Sequence, residues 1–254
     1  MLRILLWIIV ALFTFSTVSF STSAPASAAL LNDAQELAWA SHRDITSAKF
    51  SQYFDQYRNQ GYLMTDIDAY PISGNLRYSM IWRENTDTRG WAEHRDLTSE
   101  QYGAKWREYS DKGYRPFDIE AYLVNGQMRY AGIWVENKEN LRWSSKRNLD
   151  SEAYGKFFQE QSSNGFRLVD VEVYPTNNGL RYAAIWLENR DGISWAQLRG
   201  MDRNKYQQEV NERGSKGFHV VDFESYQTPN GQRYAAIWEK DGSPKRVGGA
   251  FGPY

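Results

Sequence analysis

The sequence predicts an α+β repeat protein of four strand-helix-strand-strand units, each of about 52 residues. The arrangement expected is a closed propeller-like ring, with an open array as the alternative. Two observations carry this. A stretch that reads as two strands joined by a tight turn is written four times, beginning at Gly61, Gly113, Gly165 and Gly217, each 52 residues after the last. Trp82, Trp134, Trp186 and Trp238 keep the same spacing. A constant period without insertions is the signature of a repeat architecture.

Each unit opens on a short segment beginning at Trp39, Trp91, Trp143 or Trp195. It suits a pleated sheet and is too short for a helix. Thr46, Thr98, Asp150 and Asp202 follow at one aligned position. All four residue types accept hydrogen bonds from the free N–H groups of a first helical turn. The helix shows one apolar face: Phe50, Phe54 and Tyr57, then Tyr102, Trp106 and Tyr109. Tyr154, Phe157 and Phe158 continue it, and the fourth copy is weakest with Tyr206 and Val210. The glycine at 61, 113, 165 or 217 stops the helix, because glycine adopts the left-handed conformation cheaply.

Two strands close the unit. Val169-Asp170-Val171-Glu172-Val173 alternates valines with acids. The turns Ser73-Gly74-Asn75, Asn125-Gly126, Asn177-Asn178-Gly179 and Asn230-Gly231 carry hairpin chemistry. The three strands are expected to form an antiparallel meander with the helix on one face, and the polar link to the next tryptophan is short enough for a hairpin. A ring would let the N-terminal strand fill a gap at the last unit. An open array would leave unpaired edges.

The division expected is a signal peptide over residues 1–28, a linker over 29–36, and repeats over 37–88, 89–140, 141–192 and 193–240. A flexible tail follows over 241–254. Arg3, the apolar run from Ile4 to Phe20 and Ala26-Ser27-Ala28 make a leader cleaved near Ala28/Ala29. The mature protein is then secreted or periplasmic. The alternative is an uncleaved N-terminal anchor, the chain's one expected membrane contact. A cysteine-free exported protein rests on burial and suits a bacterial source. Formal net charge −1, with the two signs interspersed, leaves no nucleic-acid footprint.

Recurring polar positions are the candidate ligand-binding residues. Arg43, Arg95, Arg147 and Arg199 stand in the first strand, and Asp66, Asp118, Asp170 and Asp222 in the second. Asp68, Glu120, Glu172 and Glu224 lie two residues on, and Arg77, Arg129, Arg181 and Arg233 start the third strand. One reading is a ring of paired charges around an axis, able to hold a polar ligand or a cation. The other is that each arginine bridges carboxylates on neighbouring strands. Trp82 and its equivalents read as core. Trp91, Trp143 and Trp195, beside the linking loops, read as exposed aromatic surface. His42 and His94 occupy equivalent positions and read as surface residues. There is no nucleophile elbow, phosphate loop or dinucleotide motif. No catalytic residue, metal or cofactor is expected.

The combined pattern Trp-x₃-Arg-x-Leu, capped helix, Gly-[Tyr/Phe]-x₃-Asp-[Ile/Val/Phe]-[Glu/Asp]-x-Tyr, turn, Arg-Tyr-[Ala/Ser]-x-[Ile/Met]-Trp spans Trp39 to Lys240. It resembles the bacterial tandem repeat of polyglycine hydrolases. In that family the repeats precede a β-lactamase-like serine hydrolase domain holding the nucleophile. The chain ends 14 residues after Lys240, so the resemblance implies a structural, accessory or substrate-binding role without the peptidase activity. The function expected is a secreted, non-catalytic module that binds an extracellular polypeptide or glycan or assists a hydrolase. The loops Thr86 to Gly90, Lys138 to Leu141 and Arg190 to Ser194 would carry specificity. The alternatives are a carboxylate-dependent hydrolase at the repeat axis, using Asp118 or Glu120, and a surface scaffold.

Overall fold

The structure, a computed structural model, describes residues 38–240. The expected leader, linker and tail lie outside the described residues. Four units follow one another: β1 (Trp39–Ile45), α1 (Ser47–Asn59), β2 (Tyr62–Ile72) and β3 (Asn75–Glu84); then β4 (Trp91–Leu97), α2 (Ser99–Asp111), β5 (Tyr114–Val124) and β6 (Gln127–Glu136). The third comprises β7 (Trp143–Leu149), α3 (Ser151–Ser163), β8 (Phe166–Thr176) and β9 (Gly179–Glu188). The fourth comprises β10 (Ser194–Met201), α4 (Arg203–Ser215), β11 (His219–Thr228) and β12 (Gly231–Lys240). No helix among the described residues is long and apolar enough to cross a membrane.

The helices begin and end where the sequence says. Thr46, Thr98, Asp150 and Asp202 each accept a hydrogen bond from the amide three residues on, and Gln101 closes a capping box with Thr98. Gly61, Gly113, Gly165 and Gly217 follow the four C-caps with φ between 80° and 85°. The loops Ser73-Gly74 and Asn125-Gly126 have positive φ at both residues, as a two-residue hairpin of right-handed twist requires.

Strand order departs from the expected meander. In every unit the third strand is central, flanked by the first and second and antiparallel to both. The reason is the helix. A strand-helix-strand connection runs its two strands parallel, and the last strand, returning through the hairpin, fills the gap between them. Each sheet is therefore complete within its own unit. The link Asn85 to Gly90 leads to a new sheet rather than a hairpin, and the last unit has no vacant strand for β1 to fill.

The first strand breaks register before its last residue in all four sheets. Asp44, Asp96, Asn148 and Gly200 sit there with φ of 59° to 74°. Their amides, turned out of the ladder, donate to the hydroxyls of Tyr70, Tyr122, Tyr174 and Tyr226. Each hydroxyl gives a rotated amide the partner it would otherwise lack.

Between units, β2 packs on β5, β5 on β8 and β8 on β11. Helices lie over the sheets, and Trp82, Trp134, Trp186 and Trp238 are at most 1% exposed. Tyr57 and Tyr109 stack on Trp82 and Trp134 at 5.3 and 5.2 Å.

Candidate functional site

The second strands carry their acids to one locus. Asp118 has Asp170, Asp66, Glu120 and Asp222 as charge neighbours, so all four units contribute. Glu120 faces Glu172 and Asp68, while Glu224 faces Glu120 and Asp68. Burial first, and these neighbours second, push Asp66, Asp118, Glu120, Asp170, Glu172 and Glu224 well above the usual carboxylate range. Burial pushes Asp68 up to about 6, and Asp222 up to about 7 against the opposing effect of the Val171 and Phe223 amides. Acids of the two middle units are buried, with Asp118 at 8% and Asp170 at 6% exposure; those of the outer units are half-buried.

Backbone amides hold several of these carboxylates. Glu120 Oε1 accepts from Ala69 N at 3.0 Å, Glu172 Oε1 from Ala121 N at 3.2 Å, and Asp222 Oδ2 from Val171 N at 2.9 Å. The acids thus stitch each second strand to the one before. Glu172 and Glu224 bring carboxylate oxygens within 4.8 Å of each other. Asp118 Oδ2 and Asp170 Oδ2 are buried without a hydrogen-bond partner.

The arginines are elsewhere, so the expected charge pairing around the axis does not form. Arg147 reaches back to the preceding helix, donating to Ser99 Oγ at 2.8 Å and Ser99 O at 2.6 Å. Its guanidinium lies over Tyr102 and Tyr130 at 4.9 and 4.6 Å. Arg199 repeats this on Ser151, Tyr154 and Tyr182, and Arg95 on Ser47, Ser51, Phe50 and Tyr78. Arg43 has no unit before it among the described residues and is 59% exposed, 4.0 Å from Asp44. Arg77, Arg129, Arg181 and Arg233 donate to nearby carbonyls at the hairpin ends.

The three linking tryptophans are also between units, not free surface. Trp91 meets Phe54 and Trp82 edge-on at 5.5 and 5.7 Å; Trp143 meets Trp106, and Trp195 meets Phe158 and Trp186. Trp39, which no unit precedes among the described residues, is 52% exposed. The linking loops join one another along the rim: Arg89 pairs with Glu139, and Arg190 donates to the Glu139 and Asn140 carbonyls. His42 and His94 donate to or accept from the Tyr57 and Tyr109 hydroxyls of their own units and form no pair.

A cleft of about 310 Å³ opens between the first two units, lined by Phe54, Arg58, Trp91, His94, Lys112 and Tyr114 among others. Glu93 lies in its wall with a side chain 5% exposed, and Oε1 has no hydrogen-bond partner. Burial pushes Glu93 up to about 7, although Arg95 at 3.8 Å pulls the other way. The equivalents of Glu93 are Ser41, Ser145 and Gln197. An acid present in one copy of four is the signal that set it apart; the recurring acids drew the eye instead.

The polyglycine hydrolase-like, structural repeat family matches residues 36–85, 88–137, 140–189 and 192–241. The chain belongs to this family. The four polyglycine hydrolase-like repeats start 52 residues apart, as the glycines do, and each match encloses one β-α-β-β unit. No curated protein matches the chain.

Proposed function

We propose that these four polyglycine hydrolase-like repeats form a secreted, non-catalytic module that binds an extracellular polypeptide or glycan in the cleft between the first two units. The observation that carries the reading is the cleft lining. Phe54, Trp91 and Tyr114 bring apolar rings beside the cations Arg58 and Lys112. Aromatic rings next to fixed cations suit the flat faces of sugars or peptide groups that bear an acid. In this reading the units close round the axis at their inner strands. Support comes from the charge contacts of Asp66 with Asp222 and of Asp68 with Glu224, which link the first unit to the last. The hydrolase alternative finds no support, because Asp118 and Glu120 are only 8% and 9% exposed.

The test is saturable binding of the purified chain to arrayed neutral and acidic glycans and to glycine-rich and acidic peptides. Binding should fall at least tenfold in Arg58→Glu/Lys112→Glu, whose surface positions spare the fold. Equal binding by the variant, or none by the parent, would remove the cleft reading and leave a scaffold.

A further inference from the structure

The axial acids have a geometry that the cleft reading does not use. Glu120, Glu172 and Glu224 come from consecutive second strands and each presents one carboxylate oxygen within 4.8 Å of the others. Glu120 and Glu172 are each held through Oε1 by the amides of Ala69 and Ala121, which fixes both carboxylates in place. Independently of this triad, two more buried oxygens lie among the same acids without a partner. Asp118 Oδ2 and Asp170 Oδ2 belong to side chains more than nine-tenths buried, and each carboxyl stands two residues before a triad glutamate. Leaving a buried carboxylate oxygen unpaired is costly, and two neighbouring units do so here.

We propose that this axis is a binding site for one hard divalent cation of the calcium type, ligated by Glu120, Glu172 and Glu224 with Asp118 and Asp170 beside them. The donor chemistry selects the class. All five groups offer oxygen and none nitrogen or sulfur, which disfavours zinc and copper. Calcium–oxygen distances of roughly 2.3–2.6 Å place two ligands on one ion up to about 5 Å apart. Magnesium, at roughly 2.0–2.1 Å, spans only about 4 Å and would need the strands to draw together. Because the ligands come from three units, the ion would tie units that otherwise repel at this point.

The full chain, freed of metal with chelator and held at pH 7.5, is titrated with calcium chloride, and in parallel with magnesium chloride and with sodium chloride at matched ionic strength. We expect one calcium bound per chain by calorimetry. The melting temperature should rise by roughly 5–10 °C once free calcium exceeds the dissociation constant about 100-fold, with a much weaker magnesium response and none to sodium. Glu172→Gln and Glu120→Gln relieve repulsion and should fold, with the calcium response lost. Sensitised terbium emission from the parent, displaced by calcium, reads the site without any variant. No heat, no melting shift and no displaceable terbium would overturn the proposal and leave the acids to be neutralised by protons alone. A calcium response unchanged in both glutamine variants would overturn it equally, by placing the ion elsewhere.

Discussion

Arginine at one aligned position makes a comparison internal to the molecule. Arg147 sits against the preceding unit, whereas Arg43 has none before it among the described residues. Replacing Arg147 by alanine removes a guanidinium from two aromatic faces, at 4.9 and 4.6 Å, and two hydrogen bonds to Ser99. Each half-exposed cation–π contact is worth about 0.5–1 kcal/mol. Charged hydrogen bonds contribute about 1.5–3 kcal/mol where desolvated, and less here at a half-buried edge. Arg147→Ala should therefore cost about 2–4 kcal/mol. Arg43→Ala loses only a solvent-exposed pair at 4.0 Å and should cost under about 0.5 kcal/mol. Urea unfolding followed by tryptophan fluorescence measures both, since the tryptophans at the unit boundaries report on each interface. Loss of a boundary contact in a repeat chain can also split the transition, so circular dichroism is recorded alongside. Equal costs for the two variants would refute the reasoning. That result would mean either that Arg43 finds the same partner on α4 or that the arginine acts within its own unit.

Three further outcomes follow from other parts of the structure. Glu93, held protonated up to about 7, binds its proton more tightly folded than unfolded, so stability should fall as pH rises from about 4.5 to 7 and level off above. The loss is at most about 3 kcal/mol, at about 1.4 kcal/mol for each pH unit. In Glu93→Gln this component should vanish from urea midpoints compared at pH 5 and pH 8, and an unchanged slope would acquit Glu93. Tyr174→Phe leaves the rotated Asn148 amide without its acceptor at 2.9 Å, so it should cost about 1–3 kcal/mol by the same denaturation assay. Asp150→Ala removes the acceptor for the Ala153 amide at 2.8 Å and should cost about 1 kcal/mol, whereas Asp150→Asn should recover most of it.

What the sequence made legible was local. Caps, stop glycines and hairpin pairs act within a few residues, and each is written four times, so Thr98 or Gly113 could be placed from neighbours alone. Partners across a period were not legible. Arg147 recurs in step with Asp170, which suggested a pair, yet its contacts lie 48 residues upstream on Ser99. Trp143 follows a polar loop, which suggested exposure, but the previous helix supplies Trp106 to cover it. Alternation along β8 says which residues share a face, and says nothing of which strand lies alongside; hence the missed central position of β9. One signal was present and overlooked. Asp44, Asp96, Asn148 and Gly200 are the residue types that tolerate left-handed backbone, and they share one aligned position.

Several differences between the copies gather in the last unit. At the helix start, Ser47, Ser99 and Ser151 serve the arginine of the next unit, whereas α4 begins with Arg203. Phe54, Trp106 and Phe158 receive the next unit's tryptophan, and the fourth helix has Val210. Among the described residues no arginine lies over the ring pair Tyr206–Tyr234, at 5.4 Å; Phe223 of the same unit meets both, at 4.9 and 5.6 Å. Ile67, Ile119 and Val171 hold that position in the other units. Each change removes a receptor for a following unit and replaces it with something self-sufficient or positively charged. Arg203 would repel Arg43 where a serine would have bound it. The fourth unit thus lacks the surface on which the internal contact is built, while Asp66 and Asp222 of the first and fourth units lie within charge range of each other. Acids that all four units bring to one locus repel one another when charged, which makes those eight carboxylates the point at which a proton or a cation would bear on how firmly the units are held together.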